Sequence, residues 1–213
     1  MDVTASTLHV IQVGGGTSGD LTALGERLQL TISRFATGQS QPAWSSLADG
    51  LNREIDETSG WVLLLRAGES VSRDLTGEIS RVVSSEAPSA WAYRVRTIPF
   101  YCGGPLERRR RSDGEIRLFH PRRARFLPKG EEKVLQSRGT VIRLDSPLIR
   151  DLYDSVAEHR NHLERIGTRK RLPTRFVDFL SRLAKTPWGL NRRAVRFHWM
   201  EAGWDRESAT REP

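Results

Sequence analysis

The sequence is poor in cysteine and in long apolar runs, and each shortage excludes something. A single cysteine, Cys102, rules out an internal disulfide and a cysteine-based zinc site, and it suits a reducing compartment. No apolar run approaches the roughly 18 residues needed to cross a bilayer. The N-terminal "MDVTAS" has neither a basic n-region nor an apolar h-region, so no secretory signal is expected. Only 37% of the 213 residues are hydrophobic, which is low for a compact domain and points to exposed segments at the two ends and in the arginine-rich middle. The length still suffices for one ordinary domain with a real core.

Charge is present in abundance and is unevenly placed. Residues 1–88 hold 6 Lys/Arg against 11 Asp/Glu, whereas the remainder holds 28 against 15. The chain is therefore bipolar. Its basic part suits an anionic partner: a phosphorylated acceptor, an anionic membrane surface or nucleic acid. The "RRRR" of Arg108 to Arg111 and the downstream "HPRRARF" concentrate this charge near aromatics. No recognition-helix, zinc-finger or RNA-binding signature accompanies them, which argues against nucleic acid.

The first half reads as alternating strands and helices. "LHVIQV" and "QLTISRF" are strands, "GDLTALGERL" is a short helix, and "WSSLADGLNREIDETSG" is a helix with Leu47, Leu51 and Ile55 on one face. "WVLLL", Trp61 to Leu65, is five apolar residues long and is expected to be a strand buried on both faces, as in a sheet with helices on either side. A helix follows, with Ser72 as N-cap and Leu75, Ile79 and Val82/Val83 inward. Such alternation implies an α/β layered domain. After Pro88, "AWAYRVRTIPFY", "EIRLFHP" and "GTVIRLD" read as strands, with "CGGPLERRRRSDG" a loop. From Pro147 the spacing of Ile149, Leu152, Val156, Leu163 and Ile166 predicts a helix, and "PTRFVDFLSRLAK" and "WGLNRRAVRFHWMEAG" predict two more. The division expected is an α/β domain over 1–146, a basic helical segment over 147–204 and a disordered tail over 205–213. The helical segment, with its tryptophans, is also compatible with docking on a membrane interface.

"LHVIQVGGGTSGDLT" carries Gly14, Gly16 and Gly19 at the spacing G-x-G-x-x-G, which marks a dinucleotide-binding turn. That reading also needs an acidic residue about 20 positions on, at the end of the next strand. "QLTISRFATG" offers none.

A longer pattern carries more weight. "HVIQVGGGTSGDLT", "LNREIDETSGWVLLLRAGESVSRDLTGEI", "AYRVRTIPFYCGG", "IRLFHPRRARF" and "LYDSVAEHRNHLERI" follow one another in an order that resembles family 2 glycosyltransferases, over roughly residues 8 to 185. The branch it looks closest to contains lipopolysaccharide inner-core β-1,4-glucosyltransferases. The resemblance implies a nucleotide-diphospho-sugar transferase (GT-A-like) α/β fold, with a mixed sheet flanked by helices and a helical C-terminal segment. It implies a nucleotide-sugar donor, a glycan or lipid-linked acceptor, and a cytoplasmic location, peripheral at the inner membrane. With only about seven residues before "LHVIQV", the family's opening βα unit has no room, so the fold is expected to be N-terminally truncated.

The resemblance also assigns residues. Gly14, Gly15, Gly16 and Thr17 stand in the family's glycine turn, with Gly14 where an aspartate is usual. Asn52 matches the Asn of an R-N-x-G stretch, while Leu51 stands in place of its Arg. Arg66-Ala67-Gly68-Glu69 stands where the family has D-A-D-E, the pair of aspartates that holds a divalent cation on the donor diphosphate. No metal ligand set is therefore assigned and no other cofactor is evident. Arg66 either neutralises the diphosphate itself or marks decay of the donor site in a non-catalytic relative. Glu69 keeps the final acid, with a helix N-terminal charge as the plainer reading. Glu131 matches the catalytic base that takes the acceptor's proton, and beside it Glu132 would raise its pKa; the plainer reading is a solvated loop pair beside Lys129 and Lys133. Arg117 matches a family Arg that orients an acceptor or phosphate; otherwise it is an exposed strand arginine.

Overall fold

A computed structural model of the chain describes residues 7–14, 21–35, 44–106, 113–129, 132–166, 168–169, 192–202 and 204–205. The chain divides into two compact units, one of residues 1–97 and 112–149, the other of residues 98–111 and 150–213.

The first unit is α/β. Its strands β1 (Thr7–Val13), β2 (Gln29–Phe35), β3 (Trp61–Arg66), β5 (Ala92–Val95), β7 (Glu115–Phe119) and β10 (Val141–Arg143) form one mixed sheet in the order β10-β5-β7-β3-β1-β2. β1 runs parallel to both β2 and β3, β7 runs antiparallel to β3 and β5, and β10 is parallel to β5. The one-turn helix α1 (Thr22–Gly25) links β1 to β2, and α2 (Trp44–Glu57) leads back from β2 to β3 on the far side of β1. Right-handed crossovers in opposite directions put their helices on opposite faces. Accordingly, Leu24 of α1 packs with Leu63 and Leu65, while Ala48, Leu51 and Ile55 of α2 pack with Val62 and Leu64.

The apolar run of β3 thus feeds two cores, and all five residues Trp61 to Leu65 are buried. α3 (Arg73–Val83) joins α1 on its face through Leu75, Ile79 and Val83. Ser72 caps it, accepting from Leu75 N–H at 3.3 Å and donating to Pro147 O at 3.0 Å. The α2 face is completed by a hairpin of β8 (Ala124–Lys129) and β9 (Glu132–Ser137), which the sequence reading did not resolve. The short strand β4 (Glu69–Val71) follows the turn after β3.

Two expectations change. "AWAYRVRTIPFY" is two strands, β5 and β6 (Thr97–Tyr101), interrupted at Arg96. Leu148–Tyr153 is a strand, β11, where a helix was expected; helix α4 (Val156–Ile166) begins only after Ser155, whose Oγ accepts from Glu158 N–H at 3.1 Å. The second unit also contains α5 (Arg192–Glu201) and the antiparallel pair β12 (Thr168–Arg169) and β13 (Trp204–Asp205). Its core gathers Tyr101, Leu106 and Ala194, with Tyr153 and Phe197 packed against them. The expected helix over "PTRFVDFLSRLAK" and the tail from residue 206 lie outside the described residues.

Candidate functional site

In an open α/β sheet, ligands bind at the carboxyl ends of the strands where the strand order reverses. Here the reversal falls between β1 and β3, because the chain goes from β1 to β2 on one side and then to β3 on the other. The register puts Val13 beside both Phe35 and Arg66, so three strand ends finish together. Gly14 N–H donates to Phe35 O at 3.0 Å and Ala67 N–H donates to Val13 O at 2.9 Å, which closes the edge. Gly14 has φ +112° and Gly68 has φ +75°, conformations glycine adopts without a Cβ penalty. Gly14, the first residue of the glycine turn, therefore lies beside the Arg66–Glu69 turn. Gly15, Gly16 and Thr17 lie outside the described residues, as does Glu131.

Behind the turn stands a four-charge cluster. Glu69 is 1% exposed and Arg117 is 1% exposed. Arg117 Nη1 donates to Glu69 Oε2 and Nη2 donates to Oε1, each at 3.0 Å, the fork-on-fork arrangement that guanidinium and carboxylate planes favour. Glu69 Oε2 also accepts from Arg66 N–H at 2.7 Å, and Oε1 from Thr97 Oγ1 at 3.4 Å. Glu115 closes the cluster from the solvent side, 3.2 Å from Arg117 Nη2 and 3.3 Å from Arg66 Nη2. Burial pulls the Arg117 guanidinium below its ordinary value, and the Glu69 and Glu115 carboxylates oppose that pull.

These positions correct two plainer readings. Glu69 is not an exposed helix N-terminal charge: it lies in β4, ahead of α3, under the guanidinium of Arg117. Arg117 is not an exposed strand arginine, since it occupies an inward position of β7 between Ile116 and Leu118. Of the assigned residues that are described, Arg66 alone presents a charged group at the edge with part of its surface open, its side chain being 20% exposed. Glu115 and Thr97 were missed in the sequence. The signal for Glu115 is its spacing: residues i and i+2 of a strand share a face, so Glu115 accompanies Arg117.

Asn52 sits away from this edge-closing cluster. Its Nδ2 donates to Phe126 O at 3.0 Å and its Oδ1 accepts from Phe126 N–H at 2.9 Å, so both ends of the amide hold the hairpin against α2.

The Arg66-Ala67-Gly68-Glu69 turn does not fit a divalent cation. Arg66 is itself cationic, Gly68 has no side-chain ligand, and both oxygens of Glu69 accept from Arg117. Among the described residues, no group of three His, Cys, Asp or Glu side chains is placed to hold a metal ion. No helix among the described residues is long and apolar enough to cross a membrane. The sequence matches no known protein-family model and no curated protein.

Proposed function

We propose that the first unit is a GT-A-like nucleotide-sugar domain and that the protein is a glycosyltransferase of family 2 type, acting on a cell-envelope glycan or lipid-linked acceptor. The observation that carries this reading is the meeting of Gly14 and Arg66 at the reversal point between β1 and β3. Backbone without a Cβ at Gly14 allows close approach of a diphosphate, and Arg66 supplies a permanent cation with a planar fork for its oxygens. Glu69 and Arg117 act through Arg66, holding its backbone and balancing its charge, and do not touch the donor.

In the reaction the acceptor hydroxyl attacks the anomeric carbon, the bond from that carbon to the diphosphate breaks, and the nucleoside diphosphate leaves with the electron pair. Arg66 faces the negative charge that gathers on the leaving oxygens. Glu131 takes the acceptor's proton.

A second reading is favoured by one observation. The family's final acid is locked under Arg117, which suits a relative that binds a nucleotide sugar or another anion without turning it over. One experiment separates the two. A panel of nucleoside diphosphate sugars is titrated into the protein by calorimetry, and transfer or donor hydrolysis is assayed with the ligand that binds. Transferase activity predicts binding lost in Arg66→Ala, with turnover lost and binding kept in Glu131→Gln. Binding without turnover selects the second reading, and no binding of any nucleoside diphosphate overturns the transferase and leaves only a scaffold for another anion.

A further inference from the structure

The antiparallel register of β7 against β3 separates two ends of the sheet. Glu115 reaches the Arg66 end, whereas Phe119 pairs with Val62 near the start of β3. The chain leaves β7 there, turns through residues 120–123 and enters β8. Beside that turn lies a cavity of about 320 Å³ bounded by the turn and the β8–β9 hairpin. Its charged lining is Arg122, Arg123, Arg125, Arg138 and Asp56.

The charges do not balance. Arg125 pairs with Asp56, the cavity's acid. The guanidiniums of Arg122, Arg123 and Arg138 form no ion pair among the described residues. Arg123 is held 5.9 Å from the centre of the Trp91 ring, a cation–π contact that fixes its direction without neutralising it. Ser137, also in the lining, has a buried hydroxyl oxygen with no hydrogen-bond partner. Three unneutralised guanidiniums around one cavity repel one another, and one hydroxyl lacks a partner. A bound oxyanion answers both deficits.

We propose that this cavity binds a phosphate-bearing ligand, its phosphate oxygens meeting Arg122, Arg138 and Ser137 and its remainder lying against Leu127 at the exposed rim. Phosphate is preferred to a carboxylate because a dianion with three acceptor oxygens can face several forks at once. The volume is at the small end for ligand pockets, which run from about 300 Å³, and suits a phosphate bearing one sugar-sized or glycerol-sized group. Such a group occurs both on soluble phosphate esters and on phospholipid headgroups. The site is independent of the donor edge, since the two lie at opposite ends of β3 and β7.

The test uses the full chain. Pyrophosphate and glycerol 3-phosphate are titrated by calorimetry, and vesicles of phosphatidylcholine with and without phosphatidylglycerol are used in flotation. The expected result is binding that survives Arg66→Ala and weakens about tenfold or more in the Arg122→Ala/Arg138→Ala double variant, as for lost charge-assisted hydrogen bonds. Both arginines are exposed, so the double variant should melt like the wild type; Arg138→Gln provides a milder change in the same direction. Calorimetric binding of pyrophosphate or glycerol 3-phosphate identifies a free phosphate ligand. Binding confined to phosphatidylglycerol vesicles, and lost in the double variant, identifies a headgroup. Binding that is absent in every arm, or unchanged in the double variant, overturns the proposal.

Discussion

Glu69 and Arg117, 48 residues apart in sequence, face each other in the core with two hydrogen bonds of 3.0 Å and almost no exposed surface. Two buried charges of this kind hold each other in place, because either alone is left desolvated without compensation. Arg117→Met or Glu69→Gln alone is expected to cost about 3–5 kcal/mol. The double variant should cost clearly less than the sum, since it removes both charges and leaves the Gln oxygen to accept from Arg66 N–H. Urea unfolding of the three variants measures the coupling. Additive costs would mean that the pair is not a unit.

The two arginines and two carboxylates of the cluster balance in charge, so an incoming diphosphate competes with Glu115 for Arg66. Glu115 is 51% exposed, and exposed ion pairs contribute only about 0–1 kcal/mol. Glu115→Gln should therefore fold normally and bind nucleoside diphosphates several-fold more tightly, with a steeper salt dependence because the cluster is left net positive. Calorimetry at two ionic strengths checks this. Weaker binding in Glu115→Gln would show that the carboxylate positions Arg66 more than it competes for it.

The layered sheet was legible in the sequence because its signals are local. Five apolar residues between Gly60 and Arg66 can only be a doubly covered strand or a buried helix segment, and the run is too short for the helix. Ser72 announces α3 by a cap whose partner is three residues away. The strand Leu148–Tyr153 was misread because Ile149, Leu152 and Val156 happen to match helical spacing, while the Asp154-Ser155 break between strand and helix was passed over. The β8–β9 hairpin was hidden by Pro128 in mid-strand, which an edge strand tolerates. At the site, the pattern gave Arg66 and Glu69 as neighbours but not the partner of either. Arg117 and Glu115 reach them only through sheet register, which no local window contains. The available clues were the i, i+2 spacing of Glu115 and Arg117 and a charge at an inward position of "EIRLF", which requires a buried counter-ion somewhere.

His9 joins β1, β2 and α2 through its two ring nitrogens. Nε2 lies 2.8 Å from Ser33 Oγ, and Nδ1 lies 3.0 Å from Thr58 Oγ1. Each hydroxyl has one proton, and each is placed to give it to Glu54, Ser33 to the carboxylate and Thr58 to the backbone oxygen. Only an imidazolium could then satisfy every contact. Burial acts the other way and lowers the His9 pKa from 6.5, outweighing the Glu54 carboxylate that raises it. The fold therefore favours neutral His9, with one hydroxyl turned toward the ring. Its contribution to stability should be complete above pH 6.5 and be lost as pH falls through the lower folded value. An NMR titration of the ring protons in wild type, paired with unfolding of His9→Phe across the same range, tests the sign. A midpoint above 6.5 would mean that the hydrogen-bond network overrides burial.

In the second unit, Tyr101 is fully buried, with its hydroxyl 3.4 Å from Met200 Sδ and 3.3 Å from His159 Nδ1. His159 is stacked between Tyr153 and Phe197, at 4.2 and 5.1 Å between ring centres, and its Nε2 is 2.9 Å from Glu201 Oε1. Burial, followed by the Cys102 thiol beside it, pushes the Tyr101 phenol up to about 12. The folded protein thus holds a proton that the unfolded chain releases near pH 10.0. Stability from this group is complete below pH 10 and is lost as pH rises toward 12. An absorbance titration should show a late phenol ionisation, together with loss of native circular dichroism, and Tyr101→Phe should remove that late step. If no late step appeared while the circular dichroism stayed native, Tyr101 would have to be reached by solvent in a fold that still holds His159 between its two rings.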